Sequence, residues 1–216
     1  MTQVVALAIN DSLCIAADSR AATKAGPLPN PVTKIRVFDN GVSKIIVAVA
    51  GEVLIAREHI FCHIQKFASH IHSLEGLNNF ANYLRKLWRR DVCGRRWSKA
   101  ERRQYMQDPW AKVELFFVPA PRSIHVISGN WKEMNVTTHD LQGRTLATRL
   151  KIQVDLLNQC AAKADWSRYL ADVFESVSTK TECVGFPVDV AQWNSGNPLI
   201  SRYATAADLR TADVLG

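Results

Sequence analysis

The chain has 216 residues, 47% of them apolar and 22% charged, with a formal net charge of +7. That is the profile of one soluble globular domain spanning 1–216, with ample material for a core. No apolar run is both long and charge-free enough to span a bilayer, and no basic, apolar secretory leader precedes the first strand. The five cysteines (14, 62, 93, 160 and 183) are scattered and never in C-x-x-C spacing. They exclude a disulfide framework and a zinc knuckle and point to a reducing, cytoplasmic setting.

In chain order, the first third reads as strand. "VVALAIN" and "LCIAAD" flank Asn10, Asp11 and Ser12, which predicts a hairpin. After the Gly/Pro-rich "KAGPLPNP", the segments "TKIRVFD" and "SKIIVAVAG" flank Asn40-Gly41, a strong two-residue hairpin signal. These strands are almost continuously apolar, so their sheet is expected to be covered on at least one face. From Glu52 the period changes. Leu54, Phe61, Ile64, Ala68 and Ile71 recur at three- and four-residue spacing, which predicts a helix. Leu77, Phe80, Leu84 and Leu87 predict a second helix ending by Gly94. The strands "KVELFFVP" and "SIHVIS" follow, interrupted by Pro119 and Pro121, and then helices over 145–163 and 166–178. A strand in "FPVDVAQW" and a polar tail close the chain. Blocks of strands alternating with pairs of helices suit a layered α+β fold, not a Rossmann alternation.

One set of residues carries chemistry. A threonine hydroxyl is a weak nucleophile until a base takes its proton, and a threonine at the chain terminus has its own α-amine within reach. That amine has a pKa of about 8, so roughly a tenth is neutral at pH 7. A nearby lysine ammonium lowers it further and stabilises negative charge on the oxygen. The lysine needs a carboxylate to hold it, and the oxyanion needs a backbone N–H donor. Thr2 stands directly behind Met1, Asp18 ends "AAD", Lys34 opens "TKIRVF", and Gly51 ends "VAVAG". A small residue at position 2 normally permits removal of Met1.

These residues and their spacing resemble the proteasome β-subunit family of N-terminal nucleophile hydrolases. The family's catalytic threonine, A-D-x-R motif, T/K-K-hydrophobic motif and A-G turn correspond here to Thr2, "ADSR" at 17–20, "TKI" at 33–35 and "AG" at 50–51. The match is specific over residues 1–51 and resumes faintly at "ECVGFPVDVAQW". It implies a four-layer αββα sandwich and points to the bacterial types: HslV-like, Anbu or the bacterial proteasome homologue (BPH). By resemblance Thr2 is the nucleophile, Lys34 tunes or accepts its proton, and Asp18 orients the lysine. Arg20 supports the aspartate, and Gly51 donates to the oxyanion. A G-S-G turn is missing around Gln142–Thr145, and Thr181, Glu182 and Val184 stand where a supporting Asp and Ser are usual. Glu182 is a candidate substitute.

The resemblance implies a threonine endopeptidase in homo-oligomeric rings, acting on unfolded polypeptides or peptides. An ATP-dependent unfoldase is a candidate partner, and no cofactor, metal or membrane is expected. Two alternatives stay open: an inactive or small-amide-hydrolysing ring protein of the same fold, and a nucleic-acid-binding module. The last would use the basic segment 85–110, whose Arg and Lys residues are interleaved with Trp88, Trp97, Tyr105 and Trp110. That segment is read instead as a face toward a ring neighbour. His59 and His63 share a helix face beside Glu58 and Cys62, but in the order E-H-x-x-C-H. They are read as interfacial or core-edge histidines, not metal ligands.

Overall fold

A computed structural model describes residues 2–9, 12–23, 26–39, 41, 43–108, 111–120, 123–140, 145–147, 166–182, 184–194, 197–212 and 214. The chain divides into two compact units, one of residues 1–36, 120–123 and 140–216, the other of residues 37–119 and 124–139.

The first unit is built on β1 (Val4–Ile9) and β2 (Ser12–Asp18), which pair antiparallel as the hairpin signal predicts, with Val4 opposite Ala17. β3 (Ala22–Thr23) and β4 (Gly26–Pro27) form a short ladder of their own. β12 (Thr145–Ala147) adds to the free side of β1, and β13 (Val188–Asn194) adds to β2. β14 (Asn197–Tyr203) completes the order β12-β1-β2-β13-β14. Period-2 alternation puts Val5, Leu7, Cys14, Ala16, Val188 and Val190 on one face, against Leu170, Phe174 and Val177 of a helix at Trp166–Ser178. We number that helix α4. Val4, Ala6, Leu13 and Ile15 on the opposite face are buried as well, so between Ser12 and Asp18 both faces of β2 are apolar. Each fully buried Leu, Ile or Phe contributes about 1.5–3 kcal/mol, and truncating Phe174 to Ala should cost about 3–5 kcal/mol.

The second unit holds the sheet β11-β10-β9-β6-β5. In chain order its strands are β5 (Ile35–Asp39), β6 (Lys44–Gly51), β9 (Val113–Ala120), β10 (Ser123–Gly129) and β11 (Met134–Asp140). β5 and β6 are neighbours, as the Asn-Gly signal requires, and the Asp39 carboxylate accepts from the Gly41 amide at 2.8 Å. Helix α1 (Ile60–Phe67) and helix α2 (Leu74–Gly94) pack their apolar stripes on this sheet. In α2 the stripe is Leu77, Phe80, Leu84, Trp88 and Val92, all buried, and Ser73 caps the helix by accepting from the Gly76 amide at 3.0 Å.

Four expectations need correction. Leu54 is not on a helix. Residues 54–55 and 58–59 form a two-stranded ladder (β7, β8) through Ala56 and Arg57 at φ 53° and 66°, leaving Leu54 exposed. Residues 145–147 are a strand where a helix was expected, and 148–163 lie outside the described residues. A further helix, α3 (Lys99–Gln107), lies in the basic segment beyond Gly94, where none was expected. The polar tail folds into β14 and a short helix α5 (Ala206–Arg210). Among the described residues no helix is long and apolar enough to cross a membrane.

Candidate active site

The pairing of β1 with β2 brings the first candidates together. One residue beyond the Val4–Ala17 pair, the Asp18 amide donates to the Gln3 carbonyl at 3.2 Å. The Gln3 amide donates to Asp18 Oδ1 at 2.7 Å. Thr2 precedes this pair, 7% exposed. The other carboxylate oxygen, Oδ2, accepts from Lys34 Nζ at 2.9 Å. Lys34 also donates to the Arg20 carbonyl. Asp18 is fully buried and Lys34 is 4% exposed, an ion pair that its surroundings must hold in place.

Burial pushes the Asp18 carboxyl above its ordinary value, against the pull of the Lys34 ammonium and the Gln3 amide. The carboxylate thus links the amide following Thr2 to the lysine.

Arg20 leaves this core and faces outward. Its Nε donates to the Phe186 carbonyl at 3.2 Å and its Nη1 to the Glu182 carbonyl at 3.3 Å. Gly185, at φ +149°, lies under the guanidinium: a Cβ there would sit 3.3 Å from Arg20 Cζ and 3.0 Å from the Ser178 side chain. Arg20 therefore ties the end of β2 to the segment before β13. The candidate substitute Glu182 contributes a backbone carbonyl, and its side chain is exposed.

Thr2, Asp18, Arg20 and Lys34 belong to the first unit and Gly51 to the second. Gly51 ends β6 opposite Val113 at φ 87°, a conformation that glycine adopts without a Cβ penalty.

Many solved structures resemble most of the chain, among them the following. A mutant of Anbu from Hyphomicrobium sp. strain MC1 superposes with a TM-score of 0.61 at 15% identity, covering 97% of this chain and 92% of that one. Anbu from Yersinia bercovieri, described as an ancestral β-subunit, gives 0.61 at 15% over 96% and 91%. The Anbu complex from Pseudomonas aeruginosa, a helical assembly, gives 0.62 at 17% over 96% and 90%. Eukaryotic HslV from Trypanosoma brucei gives 0.56 at 14% over 88% and 98%. The chain has the proteasome-like N-terminal nucleophile hydrolase fold. No protein-family model and no curated protein sequence matches it.

Within this proteasome-like fold, three residues join the site that sequence reasoning missed. Ser19, fully buried next to Asp18, donates its hydroxyl to Asp189 Oδ2 at 3.1 Å and its amide to the Pro187 carbonyl at 2.8 Å. Asp189 in turn accepts both arms of the Arg202 guanidinium, at 2.6 Å from Nε and 2.8 Å from Nη2. Arg202, on β14, crosses from the strand beyond β13 to clamp the segment carrying Asp18 and Arg20. The one signal available in sequence was the charged Asp189 inside the apolar run "FPVDVAQW".

The histidines are structural. His59 caps α1 by accepting from the Phe61 amide at 3.2 Å, and buried His63 bonds through Nε2 to the Ile55 carbonyl at 3.0 Å. The G-S-G position at Gln142–Thr145 lies mostly outside the described residues.

Proposed function

We propose that this chain is a threonine-type peptidase subunit whose nucleophile is Thr2, exposed by removal of Met1. The observation that carries the reading is the Asp18 carboxylate, held between the Gln3 amide and the Lys34 ammonium immediately beside Thr2. In this reading the Thr2 α-amine takes the hydroxyl proton as Oγ1 attacks the peptide carbonyl. Lys34 lowers the amine pKa and stabilises the developing negative charge, and Asp18 fixes the lysine. Arg20 positions the turn that carries Asp18. Gly51 keeps the oxyanion-donor role that the motif resemblance gives it. The tetrahedral intermediate collapses as the protonated amine returns its proton to the departing nitrogen. Water then hydrolyses the Thr2 ester by the same proton route, and no cofactor is needed for these steps.

A peptidase with little sequence preference must keep its site away from folded proteins. The reading therefore includes a homo-oligomeric ring in the cytoplasm, acting on unfolded chains supplied by an ATP-dependent unfoldase. The likeness in fold to HslV, and to an Anbu complex that forms a helical assembly, supports self-assembly.

Intact mass with N-terminal sequencing, paired with hydrolysis of fluorogenic peptides, tests the proposal. A chain starting at Thr2 that loses all turnover on Thr2→Ala while keeping its oligomeric size is the expected result. Unchanged turnover in that variant, or activity from a chain that retains Met1, sinks the mechanism.

A further inference from the structure

The net charge of +7 is not spread over the molecule. Residues 85–103 hold nine Lys and Arg against two Asp and Glu, which leaves eighteen of each sign in the rest of the chain. Those 19 residues therefore carry the entire excess. They form the C-terminal half of α2, a short connection and the first half of α3.

Both acidic groups are already engaged. Asp91 binds Arg95 at 2.6 Å, and Arg95 lies over the Trp97 ring at 4.9 Å. Glu101 closes the capping box of α3, accepting from the Ser98 amide at 2.7 Å. Lys86, Arg89, Arg90, Arg96, Lys99 and Arg103 are exposed, and none of their side chains forms an ion pair or hydrogen bond among the described residues. Lys86 with Arg90, and Lys99 with Arg103, stand four apart on their helices, where like charges repel. The helix dipole does not account for them, because the last turn of α2 has no basic residue.

The structure also changes the meaning of the aromatic residues. Trp88 is buried and donates to Tyr105 at 3.1 Å, and Tyr105 packs on Trp97 with ring centroids 4.8 Å apart. These rings belong to the core and its edge, so they are not a platform for stacking bases. A protein partner needs apolar anchors at the centre of its interface. Among the described residues the large exposed apolar side chains are Leu28, Leu54, Leu74, Leu199 and Ile200, and none lies within 85–103. A dense, arginine-rich surface without apolar anchors fits a phosphate backbone, which arginine grips with a bidentate fork.

We propose that the α2–α3 face binds nucleic acid through its phosphates, without base stacking or sequence preference. The test is fluorescence anisotropy of a labelled random-sequence DNA duplex with the purified full-length protein across 50–200 mM salt. Six phosphate contacts give a slope of log affinity on log salt of about −5, a loss of about 10³-fold over that range. Lys86→Gln/Arg89→Gln/Arg90→Gln should bring the slope to about −3. Lys112→Gln/Lys132→Gln/Lys180→Gln, with the same change in net charge, should leave it unchanged. A slope shallower than about −2, or equal effects of the two triple variants, overturns the proposal. So does preferential binding of polyglutamate, which would mark an acidic protein as the partner. A change of oligomeric state in the first variant, without DNA binding by the wild type, overturns it in favour of an interface between copies.

Discussion

Replacing Lys34 by Met removes an ammonium but keeps much of the side chain's length and volume. It leaves the Asp18 carboxylate fully buried, with the Gln3 amide at 2.7 Å as its remaining donor among the described bonds. Breaking one side of a buried ion pair costs about 3–5 kcal/mol, because the surviving charge has lost both its partner and water. With a urea m-value of about 2.5 kcal/mol/M, the unfolding midpoint should fall by about 1–2 M. Asp18→Asn/Lys34→Met removes the stranded charge as well, so it should lose less than the two single variants together, by about 0.5–3 kcal/mol. The pH dependence has a defined sign. Burial already pushes the Asp18 carboxyl up from 3.8, and without Lys34 the upward push loses its largest opponent. A carboxyl with a raised folded pKa contributes stability below its unfolded pKa and loses it as pH rises through the folded value. The deficit of Lys34→Met should therefore shrink as pH is lowered from neutrality toward 4. Urea unfolding of the four proteins at several pH values measures all of this. A loss below about 1 kcal/mol in the single variant, or strict additivity in the double, would refute the assignment of a coupled buried pair.

Two other expectations follow from the same unit. Arg202→Met leaves Asp189 buried with the Ser19 hydroxyl as its remaining partner among the described bonds and should cost about 2 kcal/mol in urea unfolding. Arg202→Lys should not restore that loss, because an ammonium cannot supply the two-armed contact. The Cys14 thiol is pushed by burial up to about 12, so it should resist iodoacetamide until the protein unfolds. Exposed Cys62 and Cys93 should react in the native state, as read by peptide mass mapping.

The elements legible in sequence were those whose own residues dictate the pattern. β1 is apolar throughout, β2 is apolar between Ser12 and Asp18, turn residues join them, and α2 repeats its apolar stripe over 21 residues. The approach of Asp18 to the residue after Thr2 was also readable, because a hairpin of this register sets Asp18 opposite Gln3; Arg20 and Lys34 were singled out by the motif resemblance instead. One miss was avoidable. Ser98 and Glu101 form the S-x-x-E signature that starts α3, hidden by the density of basic residues around it.

The other differences were not available from local pattern. β11 reads "MNVTTHD" and is mostly exposed, so little in it announces a strand. It becomes one through pairing with β10. β14 likewise takes its conformation from β13. Leu54 falls in helical register with Phe61 and Ile64, but the turn at Ala56–Arg57 diverts the chain before α1 begins. The sequence by itself determined the first hairpin and the apolar stripe of α2, because each rests on period or turn chemistry within the element itself. Only the tertiary structure joined Ser19 to Asp189 and Arg202, 170 and 183 residues away. Only it placed Trp88, Trp97 and Tyr105 of the basic segment in the core and at its edge. Contacts at such separations depend on strand order and packing, which no local pattern encodes.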